Sequence, residues 1–306
     1  MSIIRFLLLI LIGLPAGAAA QSELPPVFQP APRPIPARIQ YRSGISLELY
    51  FTTLAQGSSG LLRLTGADIT SAGATFRGEE QPFIPLGEGD WYALITVDMD
   101  APARSYELRV LARRGTESLS FTDDVLIESA GYILQEFDLP IDRARLVDGE
   151  VEAAEFETLA ALTAAASDEP LWDAAGFALP LDSPLTSPFG SFRLLNGVRE
   201  TRHTGWDQIA PVGTPIRAMA AGRVVFAGRL EIRGNTVLID HGVGLYSGYA
   251  HFSDLLVTAG QTVSAGQIIG SSGDTGRSTG PHLHWEIVAR GKWVDGAIFL
   301  DLWLPA

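Results

Sequence analysis

The five histidines of this 306-residue chain all lie between His203 and His284. Three of them sit in two short motifs, His203-Thr-Gly-Trp-Asp207 and His282-Leu-His284, with His241 and His251 in between. Neutral imidazole is the commonest metal ligand and the commonest general base, so the terminal third concentrates chemistry. On an extended strand His282, His284 and Glu286 share one face, while Leu283, Trp285 and Ile287 take the core side. The two imidazoles are then about 7 Å apart at the backbone, near enough to converge on one small site. The first motif needs a different geometry. Residues four apart on a strand are separated by roughly 13 Å, so His203 and Asp207 can hold one ion only if the chain bends, and Gly205 permits the bend. The chain has no cysteine, which excludes disulfides, thiolate metal sites and a cysteine nucleophile or lipid anchor. Any metal must be held by nitrogen and oxygen.

The elements that must position these groups read as mostly β. Residues 224–228, 236–240, 245–251 and 283–288 are strand candidates, and the glycines between them mark tight turns and bulges. Further upstream, period-2 alternation at residues 106–112 marks a half-buried strand, with similar runs at 47–51, 61–64, 92–97, 119–122 and 132–137. Six strands at this spacing predict an Ig-like β-sandwich over residues 39–142, in which Trp91 and Tyr92 read as core. Residues 151–166, rich in Ala, Glu and Leu and ended by Pro170, predict a helix within a linker over 143–172. The histidine-rich remainder, 173–306, is a second, antiparallel β domain. The linker helix either sets the distance between domains or covers the groove.

The N-terminus reads as an address. Arg5, an apolar run from Phe6 to Leu14, a breaker at Pro15-Ala16-Gly17 and small residues at Ala18 and Ala20 make the three regions of a secretory signal over residues 1–20. That run is shorter than the roughly 20 residues that span a bilayer, so export to the periplasm or beyond is expected, without stable membrane insertion. A proline-rich leader follows over 21–38. The excess of 35 acidic over 22 basic residues, a formal charge of -13, argues against nucleic acid or an anionic membrane as the main partner.

The run from about Pro180 to Asp295 resembles the lysostaphin/LytM-type zinc metallo-endopeptidases that cut the peptide part of bacterial cell walls. The resemblance rests on Ser187-Pro-Phe-Gly190, His203-Thr-Gly-Trp-Asp207, Ala210-Pro-Val-Gly-Thr-Pro215, Asp240-His-Gly242, Tyr249-Ala-His251 and the stretch from Thr275 through His282-Leu-His284-Trp-Glu286. Trp206 is bulkier than the usual aliphatic residue, and Gly296 stands where a proline is common. The resemblance implies a duplicated hybrid motif-like catalytic fold, zinc ligands at His203, Asp207 and His284, and catalytic histidines at His251 and His282. A zinc ion with three protein ligands keeps a position for water and lowers its pKa to about 7. This implies a zinc-activated water acting on peptide cross-links of peptidoglycan, with His251 and His282 moving protons or holding developing negative charge.

Two rival readings remain. A protein of the same fold can bind and activate a separate cell-wall amidase without being an enzyme, although such proteins commonly lack the metal ligands. A closed structural zinc site would leave no use for surplus histidines. His241, in a tight Asp-His-Gly turn, reads as structural. Glu286 reads as an ordinary strand carboxylate, with the orientation of a ligand imidazole as its alternative role. Residues 270–280 read as a flexible wall of the groove, since they lack the Gly-Lys-Ser/Thr of a phosphate loop. The N-terminal domain and helix suggest partial self-inhibition, with substrate docking and a plain spacer as alternatives.

Overall fold

The structure is a computed structural model that describes residues 33–164, 167 and 169–305. The expected signal and most of the leader lie outside these residues. Among the described residues no helix is long and apolar enough to cross a membrane.

Two five-stranded sheets form the N-terminal sandwich. One runs in the order Arg38–Arg42, Ile45–Leu49, Ser59–Thr65, Asp90–Thr96, Ile84–Gly87, and the other Thr53–Ala55, Glu117–Glu128, Ser105–Arg114, Ser71–Phe76, Glu79–Pro82. Alternation along Ser105–Arg114 sends Leu108, Val110 and Ala112 into the core between the sheets, as period 2 requires. The inner strands of the first sheet, Ser59–Thr65 and Asp90–Thr96, are largely buried on both faces. Leu62, Leu64, Ala93 and Ile95 fill the sandwich, while Leu61, Tyr92 and Leu94 point the other way into the core of the C-terminal domain. Tyr92 is therefore core, but between domains.

The strand expected at 132–137 forms at Leu134–Phe137 and does not join the sandwich. It pairs in parallel with Phe192–Leu195, in a three-stranded sheet completed by Arg199–Arg202. Its alternation was readable, but its partner lies almost sixty positions downstream, and periodicity carries no information about pairing partners. A 3-10 helix, Ile141–Val147, and the helix α1, Gly149–Leu162, follow. Asp148 caps α1 by accepting the amide of Glu150 at 2.9 Å, the role an N-terminal Asp performs well.

The C-terminal domain is built on a ten-stranded sheet. At its centre His282–Ala289 lies between Trp206–Ile209 and Leu245–Leu255, all antiparallel, and Asp207 and Ala250 flank His284 in register. Leu283, Trp285 and Ile287 are buried in the main core, so the sheet holds His282 and His284 on the opposite face.

Candidate metal centre and its neighbours

Gly205 matters through space and not through an unusual φ. A Cβ there would lie 2.2 Å from the Trp285 carbonyl oxygen and 2.9 Å from His284 Cε1, so only glycine lets His203 close down beside the strand that carries His284. The bend brings His203 Nε2 to 3.1 Å from Asp207 Oδ1 and 2.9 Å from His284 Nδ1, with the latter also 2.9 Å from Asp207 Oδ1. All three residues are buried.

The outer atoms of each imidazole fix which nitrogen carries hydrogen. His203 Nδ1 donates to the Pro188 carbonyl at 2.9 Å, in the Ser-Pro-Phe-Gly segment, and His284 Nε2 faces Glu286 Oε2 at 3.3 Å. The inner nitrogens of the neutral rings are then both lone-pair atoms, pointing at each other and at a carboxylate oxygen. Three acceptors about 3 Å apart repel unless a cation lies among them, either a proton or a metal. Tetrahedral zinc with ligands at about 2.0–2.1 Å needs ligand atoms separated by about 3.3 Å. The donor set fits zinc in number, type and spacing.

His282 and His251 stand beside this triad. His282 Nδ1 donates to the Gly280 carbonyl at 2.8 Å and His251 Nδ1 to the Thr275 carbonyl at 2.7 Å, which leaves Nε2 of each ring as the free basic atom. His282 Nε2 is 3.6 Å from Asp207 Oδ1, and the His251 and His282 ring centres are 4.7 Å apart. His251 has φ of +64°, a conformation uncommon for non-glycine residues and often held at functional sites.

Charge around the triad is unevenly shared. Burial pushes the Asp207 carboxyl up, but His203, Arg193 and the imidazole hydrogen bonds outweigh it and hold it well below the usual carboxylate range. Burial lowers His203 to about 4. Burial also opposes a charge on His284, yet Asp207 and Glu286 together raise it. Arg193, which no motif singles out, places Nη2 2.5 Å from Asp207 Oδ2 and 2.8 Å from Ser187 Oγ. Glu286 is not an ordinary strand carboxylate: it reaches His284 and accepts from Thr204 and Trp293.

A cavity of about 50 Å³ opens beside Asp207 and His282, with Phe137, Leu139, Arg193 and Arg277 in its wall. A much larger cleft, about 950 Å³, lies between the sandwich edge, α1 and the back of the sheet, away from the four clustered histidines. The wall at 270–280 is tied down where a flexible one was expected. Arg143 holds both carboxylate oxygens of Asp274 at 2.8 and 2.9 Å and the Ser278 carbonyl at 2.6 Å.

Residues 201–296 match the model of peptidase family M23. Peptidoglycan DD-endopeptidase ShyA of Vibrio cholerae is 46% identical over 97 residues, 32% of this chain and 23% of that protein. DD-carboxypeptidase/endopeptidase Mpg of Neisseria meningitidis is 46% identical over 112 residues, 36% of this chain and 26% of that protein. The matched segment thus spans about a quarter of these relatives. A crystal structure of a Pseudomonas aeruginosa protein described as a candidate peptidase M23 aligns over 80% of this chain and 94% of its own, at 27% identity and a TM-score of 0.58.

His241 lies apart from the cluster. It is fully buried, bonded to the Ala221 carbonyl at 2.8 Å and to Ser247 Oγ at 2.7 Å. Burial, partly offset by the Ala221 carbonyl, lowers it to about 4 from 6.5. The unfolded chain therefore takes up this proton near pH 6.5 while the folded chain refuses it until about 4. The stability contribution is whole above pH 6.5 and is lost as pH falls toward 4, by up to about 3 kcal/mol. In urea titrations at pH 7.5 and 4.5, the stability gap between wild type and His241→Gln should shrink by that order. An equal gap at both pH values contradicts the assignment.

Proposed function

We propose, from the match of residues 201–296 to the model of peptidase family M23, that this chain is an exported zinc-dependent endopeptidase that hydrolyses peptide cross-links of bacterial peptidoglycan. His203, Asp207 and His284 hold the ion in this reading, and His251 and His282 are the catalytic pair. The observation that carries it is the convergence of three lone-pair atoms on one point, with two further imidazoles presenting free Nε2 atoms beside them. A closed structural site has no place for that surplus. The names of the relatives supply the substrate class, and peptidoglycan lies outside the cytoplasm, which agrees with the signal-like N-terminus.

When bound, zinc supplies Lewis-acid polarisation and lowers the pKa of water. The rest falls to side chains. Because the Thr275 and Gly280 carbonyls hold the Nδ1 hydrogens, His251 and His282 exchange protons only at Nε2. One of the pair accepts the proton of the attacking water, and a proton is returned to the amine released from the cleaved bond.

In chelator-treated protein reloaded with zinc, His203→Ala, Asp207→Ala and His284→Ala should each lose metal and peptidoglycan cleavage together. His251→Ala and His282→Ala should keep one zinc per chain and lose about 10² to 10⁴ in turnover. Loss of zinc in the His282 variant, with zinc kept in the His284 variant, means the pair is reversed. A wild-type chain that binds zinc and cleaves no wall peptide supports the amidase-activator reading instead.

The linker favours gating over docking. Phe137 and Leu139 wall a space of about 50 Å³, too small for a peptide, and Arg143 fastens the turn after them to Asp274 and Ser278. Strand Leu134–Phe137 is part of a sheet with the C-terminal domain, so removing everything before Trp172 would damage that domain, and a point change is the cleaner test. Arg143→Ala should raise cleavage of a soluble cross-linked peptide by more than about twofold, since a larger open fraction raises apparent affinity. An unchanged or slower rate argues against gating.

A further inference from the structure

Behind His284 lies a buried run of alternating charge that starts on the linker helix. Arg233 reaches Glu286 with two nitrogens, Nε at 2.9 Å from Oε1 and Nη2 at 2.8 Å from Oε2. Its remaining nitrogen, Nη1, donates to Glu155 Oε1 at 2.9 Å. Glu155 comes from α1 and also accepts the amide of Ile232 at 2.6 Å and that of Arg233 at 3.2 Å. Arg233, Glu155 and Glu286 are 6%, 5% and 2% exposed, and the guanidinium lies 5.5 Å from the Phe156 ring centre and 6.0 Å from that of Trp293.

Burying three charges this thoroughly is costly unless each is paired and held in good geometry. The arrangement fixes the one acceptor that His284 Nε2 meets among the described residues, Glu286 Oε2. Arginine's planar fork can grip a carboxylate through two bonds and still reach a second one, which lysine cannot do. If Glu286 were free to rotate, His284 could turn its Nδ1 away from His203 and Asp207.

We infer that Arg233 and Glu155 are positioning residues of the metal centre, so that the linker helix supplies part of the outer support of a ligand histidine. This rests on the zinc reading above. Neither residue touches the ion or the substrate. Both act through Glu286, whose orientation sets that of His284, and outer partners of this kind commonly govern metal affinity.

The helix provides its own control. Glu152, also on α1 and also buried, bonds Arg277 at 2.5 Å, Thr201 at 2.7 Å and Arg199 at 3.2 Å, and none of these leads to Glu286. Losing Glu152 therefore weakens helix docking without touching the support of His284.

The test measures zinc affinity of the full chain by chelator competition at fixed pH, together with the visible spectrum of the cobalt(II) form, for wild type, Glu155→Gln, Arg233→Lys and Glu152→Gln. Glu155→Gln and Arg233→Lys should bind zinc about 10- to 100-fold more weakly with an altered cobalt spectrum, while Glu152→Gln stays within about threefold of wild type. Far-ultraviolet circular dichroism checks that each is folded, and if Arg233→Lys does not fold, Glu155→Gln decides. Wild-type affinity in the folded Glu155 and Arg233 variants overturns the inference. So does an equal loss in Glu152→Gln, which would reduce the effect to helix docking. A wild-type chain that takes up no zinc overturns the zinc reading itself, a result distinct from both.

Discussion

The structure depends on holding three electron-rich atoms within about 3 Å of one another inside a protein. Left to themselves, two imidazole lone pairs and a carboxylate oxygen separate. They stay because each ring is held from behind, His203 by the Pro188 carbonyl and His284 by Glu286, while Arg193 takes the second oxygen of Asp207. Every partner behind the site accepts a hydrogen or carries the opposite charge, so the inward atoms have no choice but to face a cation.

Supports of that kind need burial, and burial is what the rest of the chain provides. The central strand His282–Ala289 is flanked on both sides, one face going to the core through Leu283, Trp285 and Ile287 and the other to the site. The sandwich contributes Leu61, Tyr92 and Leu94 to the same core from outside the C-terminal domain. Between them the chain from Leu134 to Leu162 is threaded into both sides of the site: strand Leu134–Phe137 and Arg143 on the groove side, α1 with Glu155 behind His284. The N-terminal half and the candidate metal site are thus connected through packed side chains and hydrogen bonds.

Much of this was legible in the chain. The period of two put His282 and His284 on one face because a strand leaves no other option, and the cysteine-free composition limited the donors to nitrogen and oxygen. Gly205 was legible as the residue that lets the first motif bend, and what it supplies is space, since a Cβ there would strike the carbonyl of Trp285. Arg193, Arg233 and Glu155 were not legible. A buried ion pair has the same residue types as an exposed one, and its partners are 14, 53 and 78 positions apart. Strand Leu134–Phe137 showed its alternation and concealed its partner, because register is set by long-range packing.

The central claim concerns which three atoms hold the ion, and diffraction from zinc-loaded crystals at wavelengths on either side of the zinc absorption edge tests it most directly. One anomalous peak per chain is expected, within about 2.0–2.2 Å of His203 Nε2, Asp207 Oδ1 and His284 Nδ1, with His251 and His282 outside the coordination sphere. A peak ligated by His251 or His282, or an ion closed by four protein atoms, contradicts it.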